Sequence, residues 1–311
     1  MSVTESKINS LEFATKFTGE LDKLYVQKAV TGFLADNTFR AKFVGAKTVI
    51  LPDFSMVGLA DYDRDNGFDK GSMNVGHQSY ELTQDRGRSF QIDREDLDET
   101  GVANLAGQVL SEFVRTRVVP ETDAYILSNL YKAAAKVEGN VKTYEEAKVI
   151  ANLLATINAA HDKAGYDEEL VAFVNHATWS ALMTSTELSR QLVPQDFTQG
   201  GLNFKVKTLN GVAIIPVSSD RMKTDYEYYT GRDGNADIAK GGFAAAEGAK
   251  DIYSIVMPKR AASLIKKSEK MRVFTPEQNI DADAYKFDYR IYYDCLVKKS
   301  NADKIFAIVE E

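Results

Sequence analysis

The sequence predicts an α+β fold on three observations. Phe90 and Ile92 alternate with Ser89, Gln91 and Asp93, then lead into an acid-rich helix start and apolar residues at helical spacing. Near the other end, Tyr285, Phe287, Tyr289, Ile291, Tyr293, Cys295 and Val297 share one parity, against Lys286, Asp288, Arg290, Asp294 and Lys298. That alternation predicts a long strand with one buried face. Between these segments, residues 170–174 form a continuous apolar run flanked by helical patterns, as a fully buried strand would.

The chain in order begins with residues 1–43. Leu11, Phe13, Phe17, Leu21, Leu24, Val26, Val30 and Phe33 are spread among polar residues and cannot build a core, so this arm must lie on something. Residues 44–88 read as a long hairpin: 48–51, 54–57 and 79–83 are strand-like, and the stretch 61–71 between them is rich in turn formers. A lone two-stranded ribbon is marginal in water, so Phe54, Met56, Val57, Phe68 and Tyr80 should bury against something outside it. The pattern leaves open whether that is its own domain or a neighbouring copy.

The central helix follows. Asp93, Glu95, Asp96, Asp98 and Glu99 suit its positive end. Val102, Leu105, Ala106, Val109, Leu110, Phe113 and Val114 form its apolar face, and Arg115 and Arg117 suit its negative end. Pro120 punctuates and opens a second helical run through Ala124, Leu127, Leu130, Tyr131 and Ala134. Residues 144–161 return to helix, stopped by Gly165, and 177–188 are helical after the buried strand. Residues 203–217 read as a hairpin, because Asn210-Gly211 takes the positive dihedrals of a tight turn. Residues 218–242 form a loop-rich excursion, strand resumes at 252–257, 264–274 pairs with the long strand, and 305–309 returns to a sheet.

Composition narrows the function. With 311 residues, 44% hydrophobic and 27% charged, the chain has enough apolar mass for one large or two moderate cores. A formal charge of −7 argues against a general nucleic-acid binder, which needs a surplus of Lys and Arg. No apolar run approaches the ~18 residues that cross a bilayer, and the first residues carry no secretory pattern, so the expectation is cytosolic assembly away from membranes. Cys295 is the single cysteine, so no internal disulfide forms.

Chemical motifs are sparse. The run Asp61-x-Asp63-x-Asp65-Asn66-Gly67 is like a calcium loop, but glycine falls at the seventh place and Ser72 stands where a bidentate Glu is required. It reads as a solvated hairpin tip. His77, His161 and His176 have no second His or Cys at ligand spacing. Cys295, on the buried parity of a strand, reads as a small hydrophobe. Neither a Gly-x-Ser-x-Gly elbow nor a Walker loop occurs. The expectation is a protein that is not an enzyme, with no catalytic, cofactor or metal residues. A cytosolic hydrolase with a site near His176 and the glycine-rich excursion at 218–242 is the distant alternative.

One longer pattern stands out. The run from Asp85-Arg86-Gly87-Arg88-Ser89-Phe90 through Asp93-Arg94-Glu95-Asp96, continuing into Val114-Arg115-Thr116-Arg117-Val118-Val119-Pro120-Glu121, resembles major capsid proteins of tailed bacteriophages. The likeness extends more loosely through residues 209–217 and 288–294. It implies the Hong Kong 97-type fold, with 1–43 as the N-arm and 44–88 as an extended loop over an adjacent subunit. Residues 89–140 and 263–299 become a peripheral domain with a spine helix, and 141–262 and 300–311 an axial domain. The implied function is a major capsid protein whose pentamers and hexamers build an icosahedral shell around double-stranded DNA, within the virion. Scaffolding and portal proteins are implied as partners. An encapsulin-like nanocompartment is the nearer alternative. Assembly-interface candidates are Phe13, Phe17, Phe54, Met56, Val57, Phe68, Tyr80, Arg86, Arg88, Arg115 and Arg117.

Overall fold

A computed structural model describes residues 28–35, 42–45, 47–65, 67, 68, 70–95, 108, 110–185, 192–199, 202–232 and 240–311. Phe13 and Phe17 of the arm and positions 96–107 of the central helix lie outside the described residues.

The ribbon is built from β1 (Lys42–Val44), β2 (Thr48–Met56) and β3 (Met73–Glu81). β2 and β3 pair antiparallel over their full length, from Thr48 opposite Glu81 to Met56 opposite Met73, while β1 covers only the root of β2. The two strand segments expected at 48–51 and 54–57 are therefore one strand. Pro52 is tolerated inside it because it lies past the end of β1, on an edge where a missing N–H breaks no second ladder.

β4 (Gln84–Asp93) carries the chain on toward the central helix, which shows a correction. Pro120 does not punctuate. Residues Val114–Val118 wind as a π-helix, with the Val119 N–H donating to the Val114 carbonyl, and run directly into α1 (Val119–Ala134). Proline has no N–H to donate and crowds the carbonyl four residues back. The widened turn before it absorbs both defects, so the helix passes through.

β5 (Val141–Thr143), α2 (Val149–Ala164), β6 (Leu170–Val174), α3 (His176–Thr184), β7 (Val193–Gln199), β8 (Leu202–Leu209) and β9 (Val212–Pro216) come next. Then come β10 (Tyr226–Tyr229), β11 (Gly242–Ala245), β12 (Ile252–Pro258), β13 (Ala262–Phe274), β14 (Ala284–Val297) and β15 (Phe306–Val309). One seven-stranded sheet runs β5-β15-β12-β6-β9-β8-β7, and a three-stranded antiparallel sheet runs β13-β14-β4. β6 is apolar at every position because both its faces are covered. Leu170, Ala172 and Val174 meet Leu153 and Ile157 of α2, whereas Val171 and Phe173 join the core of α1. The β8–β9 turn has Asn210 and Gly211 at φ 51° and 81°, as the sequence predicts.

The end of the arm lies on the core, as its scattered apolar residues require: Phe33 is buried, its ring 6.0 Å from Phe173 and 5.5 Å from Phe197. One further expectation is corrected. The one-face reading of β14 fails in its second half, where Tyr292, Asp294 and Leu296 on the supposedly solvated parity are buried. What covers them is the root of the ribbon: Val49, Leu51 and Leu82 form one apolar cluster with Ile265, Tyr292 and Leu296. Residues 218–242 also contribute more than loop, since β10 pairs with β11.

Candidate assembly surface

The ribbon is held rigidly at one end. Thr83, just past β3, donates its N–H to Asp294 Oδ2 at 3.0 Å, and its hydroxyl lies 3.2 Å from the same oxygen. Asp294 Oδ1 accepts from the Tyr125 hydroxyl (2.8 Å) and the Cys295 N–H (2.7 Å), so one buried carboxylate joins ribbon, central helix and long strand. Burial pushes its pKa up, against the opposing pull of these donors. The Tyr292 hydroxyl donates to the Leu82 carbonyl at 3.1 Å. Tyr80, a candidate for contact outside the subunit, belongs to this root. It packs on the same cluster, and its hydroxyl donates to Gln78 Oε1 at 2.6 Å, with the Val297 carbonyl at 3.2 Å.

Beyond Leu51 that cover ends. Met56 is 69% exposed and Phe68 87%, and Val57, Leu59, Tyr62, Met73 and Val75 are exposed as well. Tyr62 and Phe68 meet edge to face at 4.9 Å across the tip. The backbone of Phe54 lies within this stretch, paired with Val75. The aspartate-rich turn has a local role: Asp63 Oδ1 accepts the Asp65 N–H at 2.8 Å, and Asp63 bridges to Gly67. Uncovered apolar residues in a row on a projecting arm are the strongest unpartnered feature among the described residues.

The four arginine candidates separate into two kinds. Arg86 is engaged inside the chain, with Nε 2.6 Å from Glu121 Oε1, Nη1 donating to the Tyr229 carbonyl and Nη2 to that of Gly242. It ties β4 to α1 and to the β10–β11 pair. Arg115 holds Glu112 one turn back through two hydrogen bonds of 2.9 and 2.6 Å, which raises the guanidinium's pKa and lowers the carboxyl's. Arg88 and Arg117 make no ion pair among the described residues; with Arg86 and Glu121 they line an open groove of about 1030 Å³ between β4, the π-turn and the β10–β11 excursion. Arg232, Lys240, Phe90 and Phe113 also line it, the two phenylalanine rings 4.7 Å apart. Arg88 rests on glycine: a Cβ on Gly231 would lie 2.8 Å from Nη1, and one on Gly241 3.4 Å.

Sequence reasoning missed a second buried carboxylate. Asp123 of α1 is fully buried and accepts from the N–H groups of Val30 and Thr31 (3.1 Å each), the Thr31 hydroxyl (2.6 Å) and Arg221 Nη1 (3.1 Å). It anchors the arm where the arm enters the core, and burial pushes its pKa up. The available signal is an Asp immediately before the apolar run Ala124-Tyr125-Ile126-Leu127 of a helix. His176, the residue behind the hydrolase alternative, is the exposed first residue of α3, which Asn175 caps by accepting the Thr178 N–H at 2.9 Å. Among the described residues no three His, Cys, Asp or Glu side chains gather as a metal site, and no helix is long and apolar enough to cross a membrane. Burial, and secondarily Asp294, push the Cys295 thiol pKa up.

No protein-family model matches the sequence, and no curated protein matches it. Solved structures do. The chain is similar to a capsid structure of cyanophage P-SCSP1u, at 12% identity and a TM-score of 0.55, over 87% of this chain and 85% of that one. It is similar to the mature capsid of bacteriophage PhiM1, at 13% identity and a TM-score of 0.53, over 85% and 82%. A chain from Gordonia phage Cozz aligns at 11% identity and a TM-score of 0.52, over 84% and 81%. At such identities the likeness is one of fold: α+β, of the Hong Kong 97 type.

Proposed function

We propose that this chain is a major capsid protein of a tailed bacteriophage, a structural subunit and not an enzyme. Its copies form the pentamers and hexamers of an icosahedral shell around double-stranded DNA. The observation that carries the reading is the ribbon, rooted by Asp294 and an apolar cluster yet bare from Met56 to Val75 in a fold shared with phage capsids. Side chains such as Phe68 gain roughly 1.5–3 kcal/mol each on full burial, so a neighbouring copy is their natural cover. Many modest contacts of this kind sum to a stable closed shell.

In this reading residues 1–43 are the N-arm and 44–88 the extended loop. Residues 89–140 with 263–299 form the peripheral domain, and 141–262 with 300–311 the axial domain. DNA is enclosed without sequence-specific contacts, in keeping with the net charge of −7. Scaffolding and portal proteins are the expected further partners, with assembly in the host cytoplasm and the virion capsid as destination.

Electron microscopy of the purified protein tests this. Capsomers or closed shells are expected; a monodisperse monomer at high concentration, with the tip side chains protected from labelling, would overturn the proposal.

A further inference from the structure

Among the described residues from β4 onward, the chain passes between the three-stranded and the seven-stranded sheet three times: after α1 into β5, from β12 into β13, and from β14 into β15. The three passages meet at one corner, and two asparagines fasten them there. Asn140, 5% exposed, directs its side-chain amide at the carbonyls of Ala302 (3.3 Å), Asp303 (3.1 Å) and Ile305 (2.9 Å), while its own backbone carbonyl accepts the Ala307 N–H at 2.9 Å. Asn301, in the short helix Lys299–Ala302, donates its side-chain N–H to the Ala261 carbonyl at 3.0 Å. The first staple joins the passage after α1 to that after β14, and the second joins the latter to the β12–β13 turn. A primary amide suits this corner because it carries two N–H donors for carbonyls at the end of a short helix, whereas a carboxylate would set oxygen against oxygen.

The corner is backed by α1, which is bound to both sheets. On one side the Tyr125 hydroxyl donates to Asp294 of β14, and Glu121 holds Arg86 of β4. On the other, the Ser128 hydroxyl donates to the Thr224 carbonyl at 2.8 Å, and Asp123 accepts from Arg221. Ile126, Leu127 and Leu130 of α1 belong to one buried cluster with Ile291 and Tyr293 of β14 and with Phe173, Ile255 and Ala307 of the seven-stranded sheet. Turning one sheet against the other would open that close-packed core and break the polar ties together.

We infer that Asn140 and Asn301 lock an elbow, so that the two sheets keep a single angle and move as one body. Within the shell reading, on which this last step alone rests, subunits at five-fold and six-fold positions share that angle and take up their differences in the ribbon and loops.

The test reads the angle as a distance. Nitroxide labels at Arg272→Cys on β13 and Lys205→Cys on β8, both exposed positions, are measured in the full chain by double electron–electron resonance, with Cys295 too buried to be labelled. One narrow distance is expected. Asn140→Ala and Asn301→Ala should each lose it to a broad distribution, whereas Leu182→Ala, which opens a cavity under α3 and removes none of these bonds, should keep it. A broad distribution in the original chain, a narrow one in both asparagine variants, or equal broadening by Leu182→Ala would overturn the elbow. If Asn140→Ala misfolds, Asn301→Ala decides. In particles, five-fold and six-fold copies aligned on β13 and β14 should superpose in the seven-stranded sheet within about 1 Å. A rotation between the sheets would overturn the inference while the particles uphold the shell reading; absence of particles would overturn the shell reading while the labels still decide the elbow.

Discussion

At the root of the ribbon, Val49 and Leu51 are sealed beneath Tyr292 and Leu296 of β14; about 16 Å further along the same strand, Met56 stands in water. Both ends carry apolar side chains on paired strands, so neither strand propensity nor composition distinguishes them. What differs is the second surface. The root meets β13 and β14, so its apolar area stabilises the subunit; the tip's apolar side chains have no such cover among the described residues, so their area remains available for association. The hairpin thus separates folding from assembly along its length, and substitutions at the two ends should produce different phenotypes.

The largest effect is expected where the root is fastened. Asp294→Ala removes the acceptor for the Thr83 N–H, the Tyr125 hydroxyl and the Cys295 N–H at once. Stranding these donors should cost about 4 kcal/mol, read as a lower urea midpoint by circular dichroism. Leu51→Ala comes next, with a loss of about 3 kcal/mol from the cavity it leaves. Phe68→Ser should leave the urea midpoint within about 0.5 kcal/mol of the original while removing about 2 kcal/mol from each contact between copies, seen as fewer particles at equal concentration. If Phe68→Ser lowered the midpoint as much as Leu51→Ala, tip and root would be one cooperative unit and the separation would fail.

Much of this arrangement was legible in the chain. The two-residue period of 285–291, the unbroken apolar run 170–174 and the Asn210-Gly211 turn each state a local requirement that the structure meets. The hairpin was equally plain. Its division into root and tip was not, because alternation announces that one face is buried but is silent on a surface arriving from elsewhere in sequence. Asp294 looked solvated for that reason, since Val49 and Leu82, which close over its face of the strand, lie more than 200 residues away. The sequence requires a support for Phe33 without naming it, because its partners, Phe173 and Phe197, are likewise distant. Resemblance alone marks the arginine candidates, and only geometry separates Arg86, bound to Glu121, from Arg88 and Arg117, which line the same groove with no ion pair among the described residues.

The smallest effect sharpens the same contrast through pH. Asp85 of β4 makes a two-pronged, exposed pair with Arg290 on the same face of the β4–β14 ladder as Tyr292, and that hydrogen bonding holds its carboxyl below the ordinary 3.8. Its contribution is therefore present above pH 3.8 and lost as pH falls through the lower folded value. The pair is well exposed, so Asp85→Asn should cost less than about 1 kcal/mol at neutral pH. Asp294 works with the opposite sign. Burial raises its pKa, so its contribution is greatest below 3.8 and declines as pH rises through the folded value. Urea midpoints measured from pH 3 to 7 should show Asp85→Asn losing part of the acid-side fall and Asp294→Asn losing part of the opposing trend. Two aspartates on one face of the β4–β14 ladder, Asp85 opposite Tyr292 and Asp294 two residues on, would then report, by the sign of their pH dependence, how far along that face the ribbon root covers.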